Sequence, residues 1–182
     1  CHADLTPIAP SPVWHRPFGF ANALVQNVAA GNTIVLNRAA LDLAQAASFA
    51  ADAAGIVAHD WWLYQLVTGV GGQVIRDPEP VLLYRQHAGN QMGRNDTVAA
   101  AIWRLRRILR GEFRDWNARN IAALRPLADR LTPENQALLA GFATLRWQAA
   151  AGRLCGLARL GLYRQTRRAG LAMWLAAGLN RL

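Results

Sequence analysis

The residues best suited to chemistry in this chain lie together in His59-Asp60-Trp61-Trp62, where a carboxylate stands between an imidazole and two indoles. Two interpretations fit Asp60. It can cap a helix, because aspartate at a helix start accepts hydrogen bonds from the first free N–H groups. It can also act as a general base, if the carboxylate faces a hydroxyl that has to lose its proton. His59 is expected to orient Asp60 or to be structural.

The elements that must position Asp60 are predicted to be helices alternating with short strands. Asn37 begins an alanine-rich helix, and the helix that carries Asp60 ends in a run of glycines. Residues 5–19 hold four prolines and predict an irregular loop. Short strands are predicted at 33–36, 73–75 and 81–84. This alternation favours an α/β fold class, a layered structure with short strands.

Composition excludes several classes of protein. The chain has 182 residues, 53% of them hydrophobic, with a mean hydropathy of +0.06, so it is not a disordered chain. No apolar run reaches the roughly 20 residues that a membrane span needs, and the start does not resemble a signal peptide. Two cysteines far apart in sequence do not indicate a disulfide framework. Because the chain begins with Cys1, we expect it to be part of a longer polypeptide.

Charge is distributed unevenly along the chain. Residues 1–93 hold 4 arginines and 6 acidic residues, a net charge of −2, whereas residues 94–182 hold 16 arginines and 5 acidic residues, a net charge of +11. The second region is expected to be all-helical. In 97–111 an apolar stripe faces a basic arc, and Thr132 with Pro133 predicts another helix start. We therefore predict two units, 1–93 and 94–182, of which the second has an anionic surface as partner.

Three segments together resemble a known family. They are "GNTIVLNR" (31–38), "HDWWLYQL" (59–66) and "LLYRQHAGNQMG" (82–93). Their order and spacing resemble the second half of the GT-A glycosyltransferases of family 2, in particular the bacterial rhamnosyltransferase-like members. The start "CHADL" is also similar to a stretch of that family. The resemblance covers roughly residues 1–93 and implies a partial GT-A domain with a Rossmann-like layer, followed by a basic helical region.

The resemblance implies an inverting sugar transfer with Asp60 as the general base. That carboxylate would take the proton of an acceptor hydroxyl while the oxygen attacks the anomeric carbon of the sugar. His87 matches a histidine that helps bind a divalent metal, Mg²⁺ or Mn²⁺, or the donor diphosphate. The residues assigned to substrate binding are Gly31, Asn32, Thr33, His59, Trp61, Trp62, Arg85, Gln86 and Asn90.

The resemblance also implies what is missing. A complete enzyme of the family carries a nucleotide-binding half with an Asp-x-Asp metal motif, and no Asp-x-Asp occurs here. We therefore expect an acceptor-side fragment that is inactive alone and needs its metal only in the intact enzyme. The donor would be a nucleotide-sugar such as dTDP-rhamnose, and the acceptor a glycan or lipid-linked sugar. The expected location is the cytoplasm, peripherally at the inner face of the cell membrane.

Each assignment has a structural alternative. Arg85 can pair with Asp77 or Glu79, and His87 can be a histidine of a surface loop. Of the two adjacent tryptophans, one is expected to face inward and one the cleft, because neighbouring helix residues point about 100° apart. The basic helices can pack on the rest of the protein, form a dimer, or bind an anionic membrane. Nucleic acid is a rival partner, but no zinc-ligand pattern, RNP-like strand or helix-turn-helix pattern supports it. A non-catalytic basic module is thus the alternative to an enzyme.

Overall fold

The structure, a computed structural model, describes residues 1, 2, 4–85 and 106–182. In these residues the chain forms seven α-helices, two 3-10 turns (Gly31–Thr33 and Arg125–Arg130) and a helical stretch at 106–110. The α-helices are α1 (Phe20–Ala23), α2 (Arg38–Ala54), α3 (His59–Gly69), α4 (Glu112–Leu124), α5 (Pro133–Leu145), α6 (Ala150–Arg159) and α7 (Arg167–Gly178).

The predicted α/β fold class is wrong for the part of the chain that the structure describes, because it contains helices and no strand. Thr33 closes a 3-10 turn, and residues 34–36, 73–75 and 81–84 are without regular secondary structure. Val35, Ile75 and Val81 expose most of their side chains to solvent. A strand forms only where a neighbouring strand pairs with its backbone, and no described segment pairs with these runs. Their β-branched residues favour an extended backbone, but this preference does not form a sheet without a partner strand.

The helix predicted at Asn37 is confirmed. The Asn37 side chain accepts a hydrogen bond from the Ala40 N–H at 2.9 Å, so it caps α2. At the other end Gly55 adopts a left-handed conformation with φ 61°, a common helix stop. Its carbonyl accepts a hydrogen bond from Arg119 of α4 at 2.9 Å. Small residues on the inner face of α2, Ala47 and Ala51, let α4 approach closely.

Helix α3 lies in the middle of the molecule and is buried on most of its surface. It ends at Gly69 as predicted, and the carbonyls of Thr68 and Gly69 both accept hydrogen bonds from the Asn135 side chain at 3.0 Å. Asn135 belongs to α5, whose predicted start is confirmed, since the Thr132 hydroxyl accepts from the Asn135 N–H with Pro133 in the first turn. The start of α5 therefore closes the end of α3.

Helices α6 and α7 form an antiparallel pair. Arg153 of α6 is buried and donates to the carbonyls of Ala177 and Gly178 at 2.6 and 2.8 Å, at the end of α7. It also donates to the carbonyl of Gln148. The buried arginine therefore adds hydrogen-bond donors at the end of α7, where the Ala177 carbonyl also accepts the Asn180 N–H.

One apolar core contains side chains from both sides of the region that is not described, among them Leu66 of α3 and Leu124 of α4. The predicted boundary between residues 93 and 94, and most of the predicted basic helix at 97–111, lie outside the described residues. Within the described ranges, every helix is too short or too polar to cross a membrane.

Candidate functional site

A 3-10 turn and the start of α3 meet at the candidate site. Gly31 opens the turn, and its α-carbon faces the imidazole of His59. A methyl group at position 31 would lie 2.6 Å from Nε2 of His59 and 3.7 Å from Cβ of Asp60. Only glycine therefore allows this approach. The neighbour of Gly31 is thus His59, and the substrate-binding role predicted for Gly31 stays a prediction.

The Asp60 carboxylate lies in the first turn of α3. The N-cap residue is Ala58, which offers no side-chain hydrogen bond, so Asp60 occupies the second helical position and is not the N-cap. Its Oδ1 accepts the Trp61 N–H at 2.8 Å, one of the donors that a helix start leaves without a carbonyl partner. The carboxylate makes no further hydrogen bond to the described residues, and the side chain is half-buried. One carboxylate oxygen is therefore available to a hydroxyl from outside.

Both tryptophans after Asp60 are buried, so the expected division between one inward and one cleft-facing indole is wrong. Trp61 is 2% exposed and Trp62 is 5% exposed. The Trp61 Nε1 donates to the Ala23 carbonyl at 2.7 Å, and its ring stacks on Phe113 at a centroid distance of 5.2 Å. Trp62 belongs to the apolar core, and Trp61 packs against the aromatic rings of Phe113 and Trp116. Neither ring offers a face to a sugar.

The other residues of the turn and helix start are open to solvent. His59, Asn32 and Thr33 are all exposed. The Thr33 hydroxyl donates to the Ala30 carbonyl at 3.0 Å, which fixes its own turn. Asn32 and His59 are therefore the polar side chains that an arriving ligand would meet beside Asp60.

The third predicted segment is described only in part. Arg85 is exposed at the end of the extended run 81–85, and the N-terminal ammonium group of Cys1 donates to the carbonyl of Tyr84 at 2.8 Å. The remaining predicted site residues of this segment, Gln86, His87 and Asn90, lie outside the described residues. Among the described residues no three His, Cys, Asp or Glu side chains gather as a metal site, so the fit of a metal to His87 stays a prediction.

No protein-family model, no curated protein and no solved structure matches this chain. The geometry around Asp60 is therefore the basis for assigning chemistry to the site. A half-buried carboxylate and an exposed imidazole lie next to each other at the start of α3, and the backbone of Gly31 approaches both without a side chain. Such an arrangement suits proton removal from a hydroxyl, since the base is fixed by its helix and has one oxygen unoccupied.

A buried polar network behind the site went unnoticed in the sequence. The Tyr64 hydroxyl donates to Oδ1 of Asn22 at 2.9 Å and accepts the Gly19 N–H at 3.1 Å. Burial raises the pKa of the Tyr64 phenol above its ordinary value. Gln65 donates to the same Ala23 carbonyl as Trp61, at 3.0 Å. Polar residues within an otherwise apolar helix were the signal for this network, and it anchors α1 to α3.

Proposed function

We propose that this chain is the acceptor-side part of an inverting glycosyltransferase, with Asp60 as its general base. The observation that carries the proposal is the geometry of that carboxylate: one oxygen is held by the Trp61 N–H, and the other is without a partner in the described residues. Support also comes from the contact that brings Gly31 next to His59 and Asp60, because two separate segments of the family resemblance meet there.

The reaction assigns one role to the protein's carboxylate. The acceptor hydroxyl loses its proton to Asp60 as its oxygen forms a bond to the anomeric carbon of the donor sugar. The bond from that carbon to the diphosphate oxygen breaks on the opposite face, and the nucleoside diphosphate departs with the electron pair. Configuration at the anomeric carbon is inverted. By resemblance the donor is dTDP-rhamnose and the acceptor a glycan or lipid-linked sugar.

His59 and Asn32 are assigned to the acceptor side of this reaction. His59 is exposed next to Asp60, Asn32 is exposed in the turn whose Gly31 contacts both residues, and their polar atoms would orient the hydroxyl before transfer. Gly31 keeps the imidazole in place by lacking a side chain. His87, the residue predicted to help bind a divalent metal, lies outside the described residues, so the proposal concerns the carboxylate, the imidazole and the turn that the structure describes.

The test compares Asp60→Asn with Asp52→Asn, an exposed aspartate of α2. Both variants are prepared in the longer polypeptide that the proposal requires, which supplies the donor side. Release of dTDP from dTDP-rhamnose is measured with Mn²⁺ or Mg²⁺ present. Loss of a positioned base typically costs on the order of 10²–10⁴-fold in rate, so Asp60→Asn is expected to lose at least a hundredfold in kcat.

The control variant should retain the wild-type rate, and circular dichroism should show that both variants fold. An unchanged rate in Asp60→Asn would reduce this carboxylate to a helix-start residue. A wild-type protein that turns over no nucleotide-sugar would contradict the enzyme assignment itself.

A second candidate function is favoured by a different observation. The exposed outer face of α7 combines leucine, tryptophan and arginine, which suits a non-catalytic module that binds an anionic surface. In that case the Asp60 carboxylate only accepts the Trp61 N–H at the start of α3. Turnover in the transfer assay would contradict this non-catalytic function, whether or not α7 binds such a surface.

A further inference from the structure

Helix α7 has one buried and one exposed apolar face. Met173, Ala176 and Ala177 are buried against the core. On the opposite side Leu171 is 71% exposed and Leu175 is 56% exposed. These two leucines are one helical turn apart, so they lie on one face. A helix that only packed on the body would have polar residues there.

The exposed leucines form the centre of a longer stripe, which we call the α7 stripe: Leu171, Trp174, Leu175 and Leu179. Residues at these spacings share a side of a helix, and the last of them directly follows the end of α7. The stripe is thus a continuous apolar surface about two turns long.

Positive charge borders the α7 stripe at its start. Arg167 and Arg168 are exposed in the first turn, four and three positions before Leu171, and hence on the same side. Cations at a helix N-terminus oppose the helix dipole, so these arginines do not serve the stability of α7. Their placement indicates a partner outside the chain.

A hollow of about 290 Å³ widens this basic border next to Trp174. Arg16 and Arg164 line it, and the Arg16 guanidinium lies 4.2 Å from the centre of the Tyr163 ring. After Glu134 the sequence contains seven arginines and no acidic residue. Two of those seven, Arg146 and Arg153, are buried, and the others leave this end of the protein strongly cationic.

We propose that the α7 stripe and its arginines seat the protein on an anionic lipid surface. Leucine and tryptophan side chains enter the boundary between headgroups and acyl chains, while the arginines meet the lipid phosphates and carboxylates. A nucleic acid would satisfy the arginines but give the leucines no apolar partner. A second copy of the chain would bring seven more arginines and no acidic residue from the same region. The lipid surface alone complements both features.

This inference does not rest on the proposed sugar transfer, and its test needs no activity. The chain is mixed with vesicles of phosphatidylcholine, with or without phosphatidylserine, and the bound fraction is measured by flotation. Binding is expected only with phosphatidylserine, and it should fall steeply with added salt because anionic lipid attraction is screened.

Two pairs of variants test the two components of the surface. Leu171→Ser with Leu175→Ser should abolish binding, whereas Phe49→Ser, at an even more exposed apolar residue of α2, should leave it unchanged. Arg167→Gln with Arg168→Gln should weaken binding about thirtyfold, since each basic residue near such a surface contributes roughly a five- to sixfold factor. Arg130→Gln, at another exposed arginine, is its control.

Three results would overturn the inference. Equal binding to neutral and anionic vesicles would remove the role of the arginines. Retention of an RNA oligonucleotide without binding to either vesicle would assign the basic border to nucleic acid. A dimer in sizing chromatography that the leucine double variant dissociates, again without vesicle binding, would assign the α7 stripe to a second copy.

Discussion

Tryptophan side chains serve opposite purposes in the two regions of this molecule. At the start of α3, Trp61 is enclosed by α1 and α4, and its indole N–H is bound to a backbone carbonyl. In the C-terminal region Trp147 is 82% exposed, and Trp174 borders an open basic hollow. Trp61 follows Asp60 and Trp147 follows Arg146, so the buried and the exposed indole each have a charged neighbour in the sequence. The neighbours in sequence therefore do not decide whether an indole is in a core or on a surface.

Within the C-terminal region, two charged arginines are buried while a neighbouring tryptophan is exposed. Arg146 and Arg153 are buried and donate to carbonyls, whereas Trp147 beside them in sequence is exposed. Desolvation lowers the pKa of Arg146 to about 10. A guanidinium can be buried only because several acceptors surround it, since an unpaired charge in a core is far more costly. In this region, therefore, the available carbonyl acceptors allow two arginines to be buried while a tryptophan remains exposed.

The largest difference in stability is expected when the buried and the exposed indole are each truncated to alanine. Trp61→Ala is expected to lower the free energy of unfolding by about 4 kcal/mol, because it leaves a cavity between α1 and α4 and removes one of the two side-chain hydrogen bonds to the Ala23 carbonyl. Trp147→Ala should change it by about 0.5 kcal/mol or less, as for most exposed positions. Urea titration monitored by circular dichroism measures both. Similar losses in the two variants would mean that the Trp147 ring is covered in solution.

A smaller loss of stability is expected when a buried arginine is replaced than when the buried indole is truncated. Arg153→Met should cost about 3 kcal/mol, because it removes charge-assisted hydrogen bonds from the carbonyls at the end of α7. Arg159→Met, at an exposed arginine of the same helix, should be close to neutral. Chemical denaturation with a constant slope would show that only stability changed. If Arg153→Met were neutral, the ends of α6 and α7 would be held by apolar packing alone.

The polar network behind the site gives the smallest effect, and it depends on pH. Tyr64→Phe should cost about 2 kcal/mol near neutral pH, since the Gly19 N–H loses its acceptor. The folded protein keeps Tyr64 protonated because its pKa is raised, while the unfolded chain loses this proton above about pH 10. Alkali therefore favours unfolding of the wild type, and the advantage over Tyr64→Phe should shrink between about pH 9 and about pH 11.

Unfolding free energies of both proteins at each pH provide the measurement. Arg146 and the other titrating groups are present in both, so their contributions cancel in the difference. A difference that stays constant with pH would show that the Tyr64 hydroxyl reaches solvent.

The same contrast explains which predictions succeed. The helix starts at Asn37 and Thr132 and the helix end at Gly69 depend on residues within one turn, and all three are confirmed. The strands at 33–36, 73–75 and 81–84 depend on partners far away in sequence, which local patterns do not specify. In the described residues those partners are absent, and the predicted α/β layer with them.

The site shows the same limit. The sequence indicates that Asp60 lies at a helix start, and the structure places it in the first turn. It does not indicate the burial of Trp62, because the faces of α3 are covered by helices from distant segments. The sequence also shows no sign that Arg146 and Arg153 are buried, because no nearby residue indicates which carbonyls accept their hydrogen bonds. Long-range contacts decide these positions.

The narrow approach between Gly31 and His59 has a consequence for variation. Any side chain at position 31 would displace the imidazole, unless position 59 became smaller at the same time. Because His59 is exposed and meets position 31 only through the end of its side chain, a residue larger than glycine at position 31 would turn the imidazole away from its place beside Asp60. A chain with alanine at both positions would preserve the shape of the turn while losing the imidazole beside Asp60.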